Sequence, residues 1–532
     1  MNGIELDYII IGGGSAGCVM AGRLSEDPKV SVGLLEAGGK GDSWLVKTPA
    51  GMVAMLPAHL NNYAFKTMPQ SALNGRRGYQ PRGKALGGSS AINAMVYIRG
   101  HRTDYDHWAS MGNTGWSYED LLPYFIRSEH NNTLHDELHG QGGPLQVSNL
   151  QTDNPFHDIY LNAGKQAGYP INRDFNGREQ EGIGIYQVTQ KNGERWSAAR
   201  GYLHPHIGVR KNLHIETGVT VTKILFEGRR AIGVECMQGR SRRVFKARRE
   251  VILCAGALQS PQLLMLSGVG PGQHLRDHAI PVVHDLPGVG QNLQDHPDFI
   301  FGYEAKSLDL LGISLRGTLR MTAEIWRYFR KRRGMLSSNF AEGGGFLKTD
   351  PALQAPDIQL HFVVSLVDDH ARRLHAAHGY SCHVCVLRPK SRGQVSLASR
   401  DPIQAPNIDP AFLVHPDDMD TLVKGFKMTR KLMDAPALAQ IRHKDLFTAD
   451  VRTDQDIRDV LRARTDTVYH PVGTCKMGID AMAVVDPQLR VHGIQGLRVV
   501  DGSVMPTLIG GNTNAPIIAI AEKAVDLLRA AS

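Results

Sequence analysis

The sequence predicts a mixed α/β chain, α+β overall, in which a parallel-sheet domain assembled from distant segments carries an inserted domain of antiparallel sheet and helix. Three observations predict it. Near the amino terminus an apolar run, Asp7-Tyr-Ile-Ile-Ile11, breaks into glycines and a helix start. Two later apolar runs, Val251-Ile-Leu-Cys254 and Leu497-Arg-Val-Val500, end in similar turns, Ala255-Gly256-Ala257 and Asp501-Gly502. Between them, roughly 299–464 has a different texture. There Asp357-Ile-Gln-Leu-His-Phe-Val-Val364 alternates as a strand does, whereas 422–433 has helical spacing.

The first element carries the most information. Gly12-x-Gly14-x-x-Gly17 follows a short strand and opens a helix, the Rossmann-like order. Gly12 suits the tight turn, Gly14 lets backbone approach a pyrophosphate, and Gly17 lets helix pack on strand. The helix start offers unpaired N–H groups and a positive dipole end. A second apolar run, 30–35, ends in Glu36, nineteen residues after Gly17 and placed to accept hydrogen bonds from a ribose diol. The chain is therefore expected to bind a dinucleotide. After Ala255-Gly256, Ser260-Pro261 reads as a helix start, with Ser as cap and Pro in the first turn. Because open α/β sheets bind ligands at the carboxyl ends of their strands, Glu36, Ala255 and Asp501 are expected at one rim.

At 532 residues the chain can form two or more domains with substantial cores. The net charge of +8 is distributed along the sequence, which suits a soluble surface, gives no nucleic-acid signature, and would favour peripheral contact with an anionic membrane. No apolar run reaches eighteen residues, so no membrane span is expected, and the early start of the motif leaves no room ahead of it for a long targeting segment. Six scattered cysteines, mostly in apolar runs, suit buried thiols in a reducing compartment. A cytoplasmic location follows as the expectation, with any membrane contact peripheral and at the inner face.

Further motifs carry a family resemblance. Arg82-Gly-Lys-Ala-Leu-Gly-Gly-Ser-Ser-Ala-Ile-Asn93, continuing through Tyr97 to Gly100, resembles the first signature of the glucose–methanol–choline (GMC) oxidoreductases. The stretch 256–270, Gly-Ala-Leu-Gln-Ser-Pro-Gln-Leu-Leu-Met-Leu-Ser-Gly-Val-Gly, is similar to their second. Tyr469-His-Pro-Val-Gly-Thr-Cys-Lys-Met-Gly478 and Gly511-Asn-Thr-Asn-Ala-Pro516 are similar to their catalytic region, and within the family the chain looks most like bacterial alcohol dehydrogenases of the choline dehydrogenase type. The resemblance implies FAD as cofactor and oxidation of an alcohol, a primary one, to the aldehyde. It implies an FAD-binding domain of residues 1–155, 190–298 and 465–532, and a substrate-binding domain of 156–189 and 299–464.

The same resemblance implies that Ser15, Ala16, Ala37, Arg82, Ala94, Met95, Val96, Val221, Asn512 and Thr513 join Gly12, Gly14, Gly17, Glu36, Ala255, Gly256, Asp501 and Gly502 around the cofactor. Gly87-Gly88-Ser89 is a permissive turn able to lie against a flavin, and Asn93 reaches the flavin or its phosphates. Some relatives join the flavin to a histidine at the position of Ile92; an aliphatic side chain has no nucleophilic nitrogen, so noncovalent FAD is expected. His470 matches the family's histidine, and neutral imidazole is suited to take the hydroxyl proton. Pro471 biases it toward extended backbone. Asn514 matches the second polar position, able to donate to an alkoxide-like oxygen, and Ala515-Pro516 opens a final helix whose positive end would face the flavin. Electrons would pass to a quinone or other carrier. An oxygen-using oxidase, a non-redox lyase on the same scaffold and a noncatalytic flavin-binding protein remain as alternatives; alcohol-dependent bleaching would remove the last two.

Other clusters have weaker claims. His130, His135 and His139, with Asp136 and Glu137, are irregularly spaced in a polar stretch and read as a solvated loop rather than a metal site. Cys382-x-x-Cys385 lacks a partner pair and reads as structural. Asp368-Asp369-His370 has no motif support, and Tyr63, Phe65 and Phe340 are candidates for the substrate entrance. No metal is expected.

Overall fold

A computed structural model describes residues 4–531. Strand Ile4–Ile11 pairs in parallel with both Val32–Glu36 and Ser241–Leu253, so that Ile9 lies beside Gly33 and Val251, and Ile11 beside Leu35 and Leu253. Leu213–Thr217 extends the sheet beyond Val32–Glu36, and Leu497–Val499 pairs in parallel with the last residues of Ser241–Leu253. The earlier part of that long strand turns back antiparallel through Arg230–Gln238 and Thr220–Glu227. Continuous apolar runs suit such strands because both faces are covered; Ile9, Ile10 and Ile11 are all buried.

Helix Ser15–Leu24 packs on the final helix Asn514–Ala531. Glu522, fully buried on the final helix, accepts from the Arg23 guanidinium and the Tyr202 hydroxyl and pairs with Arg127. The two ends of the chain are thereby locked together. Breaking a buried pair of this kind by removing one partner costs about 3–5 kcal/mol.

The second sheet is antiparallel, in the order Arg442–Asp445, Pro297–Ala305, Gly379–Val386, Ile358–Val363, Ala341–Leu347, Gly182–Ile185. Helices Phe156–Gln166 and Pro416–Met433 pack on it. Gly182–Ile185 thus joins the strands from the middle of the chain. Asp466–Thr467 pairs with Pro297–Ala305, so this sheet takes in a residue pair beyond 464 and begins slightly before 299. The alternation at 357–364 has a meaning the sequence did not reveal. Ile358, Leu360 and Phe362 enter the core under the helices, while His361 and Val363 line a cavity between the sheet and the first unit. What reads as a solvent face is a site face.

Two expectations need correction. The helix after Ala255 begins at Gly256, not at Ser260, and Pro261 lies inside it. Asp501 accepts from the Gly256 N–H (2.8 Å) and the Ser260 hydroxyl (2.6 Å), and Gly256 takes φ +81°, so the helix starts a turn early on a cap supplied from a distant strand end. The loop 130–139 is not simply solvated. His135 is exposed, but His139 is buried between Glu129 (3.5 Å) and Asp174 (3.1 Å), and Glu129 also pairs with buried Arg99 (2.6 Å). Burial alone would lower the His139 pKa, but hydrogen bonds to Asp174 and Glu129 outweigh it and raise the pKa to about 9. Asp136, His139 and Asp174 converge, and the bonds of His139 to Glu129 and Asp174 join it to the ion-pair network of Arg99. All six cysteines are free and buried, with Cys382 in the core beneath the helices and Cys385 in a separate cluster on the other side.

Candidate active site

A cavity of about 670 Å³ lies between the two units, within the range of small-molecule and cofactor sites. One end is built from the turns at the strand ends. Gly12 has φ +95°, and a Cβ there would stand 2.7 Å from the Cys254 carbonyl oxygen. A Cβ on Gly17 would stand 1.9 Å from the Gly12 carbonyl oxygen, so the helix can approach the turn this closely only with glycine at both positions. Helix Ser15–Leu24 has Gly14 as N-cap with no side-chain cap, leaving first-turn N–H groups aimed at a cavity that Gly14, Ser15 and Ala16 line.

Glu36 lines the same end and is 6% exposed. Its oxygens accept from the Gly13 N–H (2.8 Å) and the Gly38 N–H (2.6 Å), which fixes the carboxylate and leaves further lone pairs for a diol. Burial raises its pKa, and those two N–H donors oppose the rise. Ala255, Gly256, Asp501 and Gly502 also line the cavity, so the expected rim is formed. Asp501 itself is engaged by Gly256, Ser260 and the Ser503 N–H and acts as a clamp between strand ends.

Of the residues expected at the cofactor, Ala37, Arg82, Gly88, Ser89, Asn93, Ala94, Met95, Val96, Val221, Asn512 and Thr513 line the cavity as well. Gly17 and Gly87 do not: Gly17 lies on the buried face of the helix against Gly12, and Gly87 donates to the Gly13 carbonyl, fastening its own turn to the glycine turn. Ile92 lines the cavity and is 2% exposed. Arg195, absent from the expectations, is buried and donates to the Asn93 carbonyl (2.6 Å) and Asn93 Oδ1 (3.0 Å). Burial pushes its pKa down to about 9. No short motif surrounds it, so local sequence carried no signal. The uncapped helix start, the fixed acid and the permissive turns fit a flavin dinucleotide.

At the other end stands His470, 8% exposed, on the short segment after Asp466–Thr467. Tyr469 adopts φ +77°, and the His470 N–H donates to Asp295 Oδ1 (2.9 Å). That carboxylate is itself held by Thr467 and Gln80. The His470 ring is fixed from both sides. Its Nδ1 lies 3.0 Å from His296 Nδ1, and its Nε2 3.2 Å from the Asn512 amide nitrogen.

The hydrogen-bond network assigns the tautomers. His296 Nε2 faces two backbone carbonyls, of Leu387 and Ile509, each at 3.1 Å. Carbonyls only accept, so His296 carries its proton on Nε2. Burial lowers its pKa to about 4, which keeps it neutral, and its Nδ1 is then an acceptor. His470 must donate from Nδ1 and hold its lone pair on Nε2, the nitrogen beside Asn512. Burial, followed by His296, His361 and Arg82, lowers the His470 pKa well below 6.5. Asn512 is oriented by Gln359, which donates to its Oδ1 (2.9 Å), so its amide N–H groups face His470 and, at 3.5 Å, His361 Nε2.

Asn514 is placed differently from the expectation. Its Oδ1 accepts from the Ser15 hydroxyl at 2.7 Å, joining the starts of the first and last helices, although it too lines the cavity. The second polar partner of His470 is Asn512, two residues earlier. The motif Gly511-Asn-Thr-Asn-Ala-Pro516 offers two asparagines, and spacing alone did not distinguish them. His296 and His361 were also missed, since each sits in an apolar or polar stretch without flanking signal.

Tyr63 and Phe340 line the cavity, whereas Phe65 stacks behind Tyr63 with ring centroids 5.1 Å apart. His370 lines it too, held by the Tyr469 hydroxyl (2.7 Å) and Asp466 (3.1 Å). The wall beyond His470 is largely apolar, including Leu311, Met335, Phe340, Val363, Leu366 and Val468. Among the described lining residues the carboxylates are Glu36 and Asp501, both at the nucleotide end. Asp298, buried nearby in the sheet, is bonded to His383 Nδ1 at 2.6 Å.

Comparison with known proteins identifies the family. Two GMC oxidoreductase family profiles match, an amino-terminal one over residues 6–298 and a carboxyl-terminal one over 389–521. The chain is 46% identical to an "alcohol dehydrogenase [acceptor]" of Pseudomonas putida, covering 98% of this chain and 95% of the relative. It is 44% identical to the mitochondrial choline dehydrogenase of Homo sapiens, covering 99% and 90%. Among solved structures, a formate oxidase variant of Aspergillus oryzae RIB40, described for its FAD modification, superposes with a TM-score of 0.93 at 28% identity, covering 100% of this chain and 99% of the other. The chain belongs to the GMC oxidoreductases, a flavin-dependent family, and FAD is its cofactor.

Proposed function

We propose that this protein oxidises an uncharged primary alcohol to the aldehyde, with His470 as proton acceptor, and passes the electrons to a quinone or another carrier rather than to oxygen. The observation that carries the reading is the fixed lone pair on His470 Nε2, facing the cavity beside a fixed amide donor. A substrate hydroxyl donating to Nε2 would sit within reach of the Asn512 amide, which donates to the oxygen as negative charge grows there. The proton stays on His470, whose Nδ1 proton is already shared with His296, so the charge on the ring is spread over two imidazoles. FAD, when bound, supplies the hydride acceptor. Glu36 and the uncapped helix start would hold its nucleotide half, and the 87–93 turn would lie at the flavin.

An uncharged substrate is favoured over a quaternary ammonium because the wall beyond His470 is apolar and the lining carboxylates lie at the opposite end. A desolvated cation needs a carboxylate or an aromatic cage. The nearby acids are already engaged, Asp298 by His383, Asp295 by Thr467 and the His470 N–H, and Asp466 by His370. The test is anaerobic mixing of the purified holoprotein with a panel of alcohols, choline included, while flavin absorbance is followed. Bleaching by aliphatic or aryl primary alcohols well ahead of choline is expected; preferential bleaching by choline, or none by any alcohol, would overturn the reading.

A further inference from the structure

Helix Leu315–Lys331 is built inside out. Its inward side carries Met321, Glu324 and Tyr328, while Leu315, Leu319, Trp326 and Phe329, which fall on the opposite side at helical spacing, are 81%, 65%, 62% and 56% exposed. A helix on the surface of a globular protein normally turns such a ridge to the core. Along one flank of the ridge run Arg316, Arg320, Arg327 and Arg330. Among the described residues Arg320 pairs with Asp309 and Arg327 with Glu324 and Asp153, but no carboxylate pairs with Arg316, Arg330 or Lys331. Arg330 lies over the Trp326 ring, 4.7 Å from its centroid.

The ridge adjoins the cavity. Just before the helix, Ile313 is 48% exposed and lines the cavity, as does Leu374, which is 74% exposed. The two segments are tied together, since the Ile313 N–H donates to the Ala377 carbonyl and Ser314 bonds His378. Arg373, also exposed, lines the same opening.

We propose that the Leu315–Lys331 ridge, with Ile313 and Leu374, docks on an anionic lipid bilayer and opens the cavity onto it. Aromatic and aliphatic side chains backed by unpaired arginine and lysine are what a headgroup–acyl boundary takes up: the ridge enters the acyl edge and the cations meet lipid phosphates. A soluble acidic partner would match the charge but not the exposed ridge, and a second copy of this chain would present the same unpaired cations to each other. No helix among the described residues is long and apolar enough to cross a membrane, so the contact would be interfacial. An apolar alcohol or quinone dissolved in the lipid would then reach His470 without passing through water.

The test is cosedimentation of the flavin-loaded protein with phosphatidylcholine vesicles, with and without phosphatidylglycerol. Wild type should pellet with the anionic vesicles, and raised salt should release it. Trp326→Glu combined with Leu319→Glu should weaken binding at least tenfold. Neither residue lines the cavity, so turnover of a short water-soluble alcohol with a soluble dye should be unchanged; that readout also separates failure of this proposal from failure of the alcohol reading. If the double variant folds poorly, quenching of wild-type tryptophan fluorescence by brominated lipid replaces it, with quenching expected. Wild type that ignores anionic vesicles, a double variant that binds as wild type does, or a wild-type dimer that the double variant converts to monomer would each overturn the proposal.

Discussion

At the scale of single residues, the protons of the site are positioned by their neighbours. His296 has no contact with the cavity, yet its two carbonyl partners determine which nitrogen of His470 is free. His470→Ala is expected to keep FAD while flavin reduction slows about a hundredfold or more, the usual range for a lost general base. Asn512→Ala should slow reduction more than Asn514→Ala, because Asn512 faces His470 while Asn514 is bonded to Ser15. Comparable rates of reduction for the two asparagine variants would remove Asn512 from this role. The lowered His470 pKa has a definite sign: the ring stays neutral, and active as base, as the solution is acidified through 6.5. Reductive rates measured from pH 8 downward should therefore show no loss near the ordinary histidine pKa; a fall centred at 6.5 would contradict it. His470 itself was legible because Pro471 and the residues after it form a recognisable phrase. Asn512 was legible only as a neighbour, since its orientation comes from Gln359, far away in sequence.

At the scale of elements, the first strand, glycine turn and helix could be read directly, because each glycine answers a local steric demand that sequence spacing records. The start of helix Gly256–Leu266 could not, since its cap is Asp501, which only the fold brings there. The alternating strand Ile358–Val363 was recognised as a strand, but its polar side proved to face the cavity, a distinction that period-two patterning does not contain. Glu36 ends the second strand with its carboxylate fixed by two N–H groups, so the proposed contact with a ribose would need little further ordering. Charge-assisted hydrogen bonds of this type contribute about 1.5–3 kcal/mol each. Glu36→Ala should purify largely without flavin and regain activity when FAD is added in excess; full flavin occupancy on purification would show a different role. Ile92, buried in the cavity wall, gives a further expectation: acid precipitation should release all the flavin to the supernatant, and colour retained by the pellet would refute noncovalent binding.

At the scale of the whole molecule, one cavity lies between the two units, and ion pairs such as Arg23 with Glu522 and Arg388 with Asp104 join residues far apart in sequence. The network of Arg99, Glu129, His139 and Asp174 was not legible in the sequence, because its members are scattered and the local composition is that of a loop. His139 has a folded-state pKa raised to about 9, above the ordinary value of 6.5. Its contribution to stability is accordingly complete below 6.5 and is lost as pH rises through 9. The melting temperature should fall over that interval, and His139→Gln should flatten the decline; an unchanged slope in the variant would assign the pH dependence elsewhere.

In the proposed reaction a neutral His470 takes the hydroxyl proton of an uncharged alcohol at the flavin. Anaerobic stopped-flow mixing of FAD-loaded wild type and His470→Ala with a medium-chain primary alcohol tests it most directly. Rapid bleaching is expected in wild type, and bleaching about a hundredfold slower or more in the variant at equal flavin content. Equal rates in the two proteins would contradict it.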